Sequence, residues 1–125
     1  MTDRVVIVTG SRHWADEDAI HKALDEARPT LVVHGGARGA DAIAHDWATL
    51  RGVRSRKVAA DWLRYGTKAG PLRNGVMLRA YPQALVLAFP LDGPGTRDCI
   101  RQARELRMRV LVYRAELSAP GAPRA

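Results

Sequence analysis

A chain of 125 residues, 46% hydrophobic and 26% charged, has the size and balance of one soluble domain that buries a core without disulfide or metal staples. A single cysteine, Cys99, excludes an internal disulfide. No apolar run has bilayer length and no signal-peptide pattern opens the sequence, so the expected location is the cytoplasm, with no membrane partner.

The net charge of +7 comes from 17 Arg and three Lys. The arginines are scattered singly, with no basic block and no interleaved aromatic platform. The charge therefore fits a pocket for one phosphorylated small molecule as well as it fits a polyanion.

Val5-Val6-Ile7-Val8 is a short β-branched run closed by Thr9-Gly10-Ser11, the pattern of a buried strand and a turn. A helix is predicted over 16–28, with Ala19, Ile20, Ala23, Leu24 and Ala27 at helical spacing, Asp16 as N-cap and Pro29 as its stop. Leu31-Val32-Val33-His34 is a second strand, ended by Gly35-Gly36. The next helix, about 40–50, turns Ile43, Ala44, Trp47 and Leu50 to one side and stops at Gly52. Residues 53–58 form a third, weaker strand, and 60–70 read as irregular.

A helix from Pro71 to Tyr81 carries Pro in its first turn. Residues 84–89 are the fourth strand and 96–106 a helix with Ile100, Ala103 and Leu106 inward. Residues 109–113 are the fifth strand. The pattern predicts one domain over 1–114 and a flexible tail over 115–125.

Strands alternating with helices, and strands apolar on both faces, predict a three-layer α/β domain of Rossmann type. Its five-stranded, mainly parallel sheet is expected in the order 3-2-1-4-5, with helices on both faces. The strand order then reverses between strands 1 and 4, where such sheets hold ligands.

Four turns on that carboxyl edge carry the candidate chemistry. Gly10, Ser11 and Arg12 follow the first strand. Gly35, Gly36, Arg38 and Gly39 place three glycines in five residues ahead of a helix, where free N–H groups and the helix dipole face an anion. Asp41, in that helix's first turn, either caps it or accepts ribose hydroxyls. Arg73 and Asn74 stand at a helix start, positioned to reach a phosphate or to hold a neighbouring loop. Gly93, Gly95 and Thr96 form a second Gly-rich helix entry, with Thr96 either N-cap or phosphate ligand.

The pattern is neither the dinucleotide fingerprint nor a Walker loop. His13, His34 and His45 lack metal-ligand spacing, so no metal site is expected. Trp14, Trp62 and Tyr65 are expected near the pocket rim, where a nucleobase stacks; Trp47 reads as core. Asp41, Asp98 and Asp61 are the acids within reach of the edge, and no carboxylate pair with catalytic spacing stands out.

Gly35-Gly36-Ala37-Arg38-Gly39-Ala40-Asp41, Pro71-Leu72-Arg73-Asn74 and Gly93-Pro94-Gly95-Thr96 together resemble the SLOG superfamily. That group joins the DNA-processing protein DprA (Smf) with the LOG phosphoribohydrolases, and the nearest branch is the YspA/YpsA-related one. The resemblance spans about residues 5–113. It implies a Rossmann-like fold that binds nucleotide-derived ligands, and LOG relatives imply a homodimer. The LOG motif Pro-Gly-Gly-x-Gly-Thr-x-x-Glu matches at Thr96, but its Glu position holds Cys99.

The expected function is binding of a nucleotide or nucleotide-derived phosphorylated ligand, as sensor or carrier, with no further cofactor. A phosphoribohydrolase-like enzyme with Asp41 or Asp98 as candidate acid is one alternative. A nucleic-acid-binding, DprA-like domain is the other.

Overall fold

Strands without polar alternation must be covered on both faces, and the computed structural model, which describes residues 3–115, covers them. The elements run β1 (Val5–Gly10), α1 (Glu17–Ala27), β2 (Leu31–His34), α2 (Ala40–Arg51), β3 (Arg54–Lys57), α3 (Trp62–Tyr65), α4 (Ala69–Ala80), β4 (Leu85–Phe89), α5 (Pro94–Glu105) and β5 (Arg109–Val112). A 3-10 turn, Gly66–Lys68, joins α3 to α4. The sheet is parallel throughout, in the expected order β3-β2-β1-β4-β5. The predicted tail lies, apart from Ala115, outside the described residues.

The strand alternation sorts the core into two layers. Val6, Val8, Val32, Leu87 and Phe89 pack against Ile20 and Leu24 of α1 and Ala44 and Trp47 of α2. Ile7, Val33 and Val86 pack against Met77 and Leu78 of α4 and Cys99 and Ala103 of α5. Each large side chain removed from water here contributes about 1.5–3 kcal/mol. Moving outward from β1 to either side thus places α1 and α2 on one face and α4 and α5 on the other.

The ends of the helices follow their sequence signals. Asp16 caps α1, its carboxylate accepting the Ala19 N–H at 3.2 Å. Gly52 closes α2 at φ 68°, its N–H directed to Ala48 and Thr49 carbonyls.

Five expectations are corrected. The irregular stretch contains α3, a single turn capped by Asp61, whose Oδ1 accepts the Arg64 N–H at 3.1 Å. Helix α5 begins at Pro94 with Gly93 as N-cap, so Thr96 lies inside the first turn. Leu50, expected inward, is 78% exposed because it lies on the solvent side of the last turn of α2, and Leu106 follows the end of α5 and is 43% exposed. Helix α4 starts at Ala69, which places Arg73 and Asn74 in its second turn.

Candidate functional site

Burying a polar side chain is costly unless it is paired. Among the described residues the buried polar or charged side chains are Thr9, Ser11, His34, Asp41, Asn74 and Thr96. Each stands at the carboxyl end of a strand or in a helix segment facing that end. The sheet's other edge holds none of them. Three of the sequence-predicted turns and the α4 segment with Arg73 and Asn74, the fourth expected turn, meet on this edge.

The β1 turn and the β2 turn are packed against each other. The Ser11 carbonyl accepts the N–H groups of Trp14 at 3.1 Å and Ala40 at 3.2 Å, and the Ser11 N–H donates to the Phe89 carbonyl at 3.0 Å. Ser11 Oγ accepts the His13 N–H at 3.0 Å. A Cβ on Gly10 would drive into Ala40, and one on Gly39, at φ 71°, into the backbone of Ser11 and Arg12. These two glycines permit a close approach of backbones.

The glycine turn after β2 uses its amides internally. Asp41 Oδ2 accepts the N–H groups of Gly35 at 3.0 Å and Ala37 at 3.2 Å. His34 Nδ1 accepts the Gly36 N–H at 3.0 Å. Three amides of this turn are thus satisfied within the protein. Asp41 Oδ1 is buried without a hydrogen-bond partner. Burial pushes the Asp41 carboxyl up to about 6, against the Ala37 N–H, the Arg73 guanidinium and the Gly35 N–H, which favour its charge.

Arg73 and Asn74 tie the layers of this edge together. Arg73 Nη1 donates to the carbonyls of Gly35 at 3.0 Å and Val58 at 3.3 Å, and Nε to Asn74 Oδ1 at 3.0 Å. Asn74 Nδ2 donates to the Gly95 carbonyl at 3.3 Å and to Asp98 Oδ2 at 3.0 Å. Asp98 also accepts from Arg101 and Gln102, at 2.7 and 2.8 Å. Its pKa is lowered: desolvation opposes the charge, but the hydrogen bonds from Asn74, Arg101 and Gln102 outweigh it. Asp98 is thus held by three donors, and Asp61 caps α3.

The start of α5 differs from the start of α2. Gly93 takes φ 114°, no side chain caps the helix, and no acid lies in its first turn. The N–H groups of Gly95 and Thr96 have no intrahelical acceptor at these positions. A Cβ on Gly93 or Gly95 would meet nothing within 4 Å, so the space over this helix start is open. Thr96, in this first turn, is buried. Arg12 and Arg38 are exposed on the neighbouring turns.

Sequence reasoning missed a histidine pair under the edge. His34 Nε2 lies 3.3 Å from His45 Nδ1, which lies 3.0 Å from Ser55 Oγ. Because His34 Nδ1 accepts from Gly36, its ring proton is on Nε2. Burial, followed by the charges of His45, Lys57 and Arg73, lowers the His34 pKa to about 4. The signal lay in a histidine ending a buried strand just before two glycines.

Among the aromatics, Trp62 and Tyr65 are exposed, at 59% and 43%. Trp14 is core instead of rim: its ring meets Phe89 edge-on with centroids 5.3 Å apart, and its indole N–H donates to the Asp16 carbonyl at 2.8 Å. Trp47 is buried, with its indole N–H on Asp25. Cys99 is fully buried, and burial raises its thiol to about 11.

Two surface concavities lie away from this edge's centre. One follows the outer face of α1, and the other lies between α5 and β5. No helix among the described residues is long and apolar enough to cross a membrane.

The chain is similar to known proteins in sequence and in fold. The gene 61 protein of Mycobacterium phage D29 is 44% identical over 121 residues, spanning 88% of this chain and 96% of the relative. The DNA processing protein A (DprA) of Streptococcus pneumoniae shares the fold at a TM-score of 0.53 and 15% identity, over 87% of this chain; the chain spans 58% of the DprA chain. Residues 4–65 match the family model described as the YspA, cpYpsA-related SLOG family. With its parallel 3-2-1-4-5 sheet and its glycine turns gathered at one edge, the chain belongs to the YspA, cpYpsA-related SLOG family.

Proposed function

We propose that the carboxyl edge over β1 and β4 binds a phosphate-bearing, nucleotide-derived small molecule, and that the chain acts as a sensor or carrier. The first-turn amides of Gly95 and Thr96, with the Thr96 hydroxyl, receive the phosphate. Gly10 and Ser11 of the adjoining turn and the Arg12 and Arg38 side chains flank it. Asp41 takes a hydroxyl of the ligand, and Arg73 and Asn74 hold the turns on which these groups stand. Gly35, Gly36 and Gly39 shape the pocket wall through their backbones. The observation that carries this reading is Asp41 Oδ1, a buried carboxylate oxygen without a donor, on the edge that collects the chain's buried polar side chains.

Isothermal titration with AMP, ADP-ribose and NAD tests the reading on the wild type and on Gly95→Asp. That position has open space for a side chain, and an acid in a first helical turn does not harm the helix. The added carboxylate occupies and repels the phosphate. Binding that weakens at least about tenfold with an unchanged melting temperature supports the reading. No heat or thermal shift with any of the three probes, or equal binding by Gly95→Asp, refutes it.

A hydrolytic use of the same site is favoured by one observation: the Asp41 carboxyl titrates at about 6, in the range suited to proton transfer near neutral pH. Release of free base from AMP that is lost in Asp41→Asn would establish it. A chain that binds AMP and leaves it intact is a carrier.

A further inference from the structure

The second concavity, outside the proposed ligand site, is a groove of about 530 Å³ between α5 and β5, lined among others by Pro90, Ile100 and Val112 and by Arg97, Arg104 and Arg114. Arg101, also on this wall, is neutralised by Asp98 and Glu105, at 2.7 and 2.9 Å. Arg97, Arg104 and Arg114 have no ion-pair partner among the described residues. The groove is therefore an aliphatic floor rimmed by three uncompensated guanidinium groups.

Its second wall is a strand edge. Among the described residues, strand β5 ends the sheet and pairs with β4 alone, so its outer N–H and C=O groups face away from the sheet. We propose that this groove and the β5 edge receive an extended acidic segment of another protein. The segment adds as a strand along β5 and sets its carboxylates on Arg97, Arg104 and Arg114.

Dimensions and charge select this partner. Arg97 and Arg104 stand seven residues apart on one helix face, about 10 Å along the axis, between the two- and four-residue spacings of about 7 and 13 Å at which an extended chain repeats side chains on one face, and the long arginine side chains span the difference. Arginine presents a planar fork that engages carboxylates in pairs of hydrogen bonds. A second copy of this chain paired edge to edge would gather the arginines of two β5 ends in one short ladder that holds no acid, which like charges disfavour. A nucleic acid would find no aromatic ring in the groove to stack on and no use for a strand edge.

Fluorescence anisotropy on the full chain tests this with a labelled octapeptide alternating Glu and Val. A second octapeptide, alternating Glu and Pro, keeps the charge but removes alternate strand-pairing donors. Eight-residue oligothymidylate is the nucleic-acid arm. The expected result is saturable binding of the Glu-Val peptide, weakened at least about tenfold in the double variant Arg97→Glu/Arg104→Glu and at most about twofold in Arg64→Glu on α3. All these positions are exposed, so circular dichroism should match the wild type. Absence of peptide binding, equal affinity for the Glu-Pro peptide, or indifference to the double variant overturns the proposal. So does tighter binding of oligothymidylate that the double variant abolishes.

Discussion

Replacing Asp41 by Asn separates the electrostatic burden of this site from its shape. The amide keeps an acceptor oxygen toward the Gly35 and Ala37 N–H groups and removes the titrating proton. Burial holds the Asp41 carboxyl at about 6 against an ordinary 3.8, so ionisation in the folded chain costs about 3 kcal/mol. Between those two pH values the folded chain keeps a proton that the unfolded chain has released. The stability is complete below pH 3.8 and is lost as pH rises through 6. The protonated acid and the amide each leave a donor unpartnered at the same place, so they compare on equal terms.

The Asn variant should match the wild type in acid and exceed it by up to about 3 kcal/mol above pH 7, about 10 °C in melting temperature. His34 works in the opposite direction. Its pKa of about 4, against 6.5 unfolded, gives stability that is full above pH 6.5 and lost as pH falls through 4. In the wild type the Asp41 and His34 contributions oppose each other between about pH 4 and 6.5, while the variant keeps the His34 rise. Urea denaturation followed by tryptophan fluorescence at half-unit pH steps reads both. Parallel profiles, or a variant less stable than the wild type at pH 7, would refute the reasoning. A more stable variant that has lost its ligand would mean that the carboxylate is kept for contact rather than for folding.

Other perturbations follow from the packing of the edge. Gly10→Ala pushes a Cβ into Ala40 and to 3.0 Å from the Phe89 Cβ and carbonyl oxygen, and should lower stability by about 1–3 kcal/mol in urea. Asn74→Ala withdraws donors from the Gly95 carbonyl and Asp98; a loss of about 1–3 kcal/mol is expected, and no loss would mean that water replaces the amide fully. Cys99, with its thiol raised to about 11, should react with Ellman's reagent at pH 8 at least about 100-fold more slowly in the folded chain than in guanidinium. Labelling at the rate of the unfolded chain would contradict its burial.

The fold was legible because its signals are local and repeated. Three strands, β1, β2 and β4, are continuous apolar runs, and a run apolar on both faces has one home, the middle of a covered parallel sheet. The weaker β3 and β5 follow at the margins, where Arg54, Arg56 and Arg109 point to water. The misreadings arise where tertiary contact decides. Trp14 follows a turn and looks like a rim residue, yet its backbone N–H is bound by the Ser11 carbonyl and its ring falls onto Phe89. Helix α3 is too short to show a period, and only the Asp61 cap marks it.

The two glycine-rich helix entries look alike as sequence and differ as chemistry, and the difference has a local cause. Glycine frees a turn to present its amides, but the nearest acceptor decides where they point. At α2 the acceptors belong to the chain: His34 immediately precedes Gly35, and Asp41 stands in the first helical turn, so the Gly35, Gly36 and Ala37 N–H groups close on them. At α5 the first turn carries no acid, and Asp98, one turn on, is held by Asn74, Arg101 and Gln102. The amides of Gly95 and Thr96 therefore have no internal anion to turn to, and the positive end of the α5 dipole remains open to an external one. An acid in the first turn after a glycine run thus marks a turn that satisfies itself, and its absence marks one that has amides left to offer.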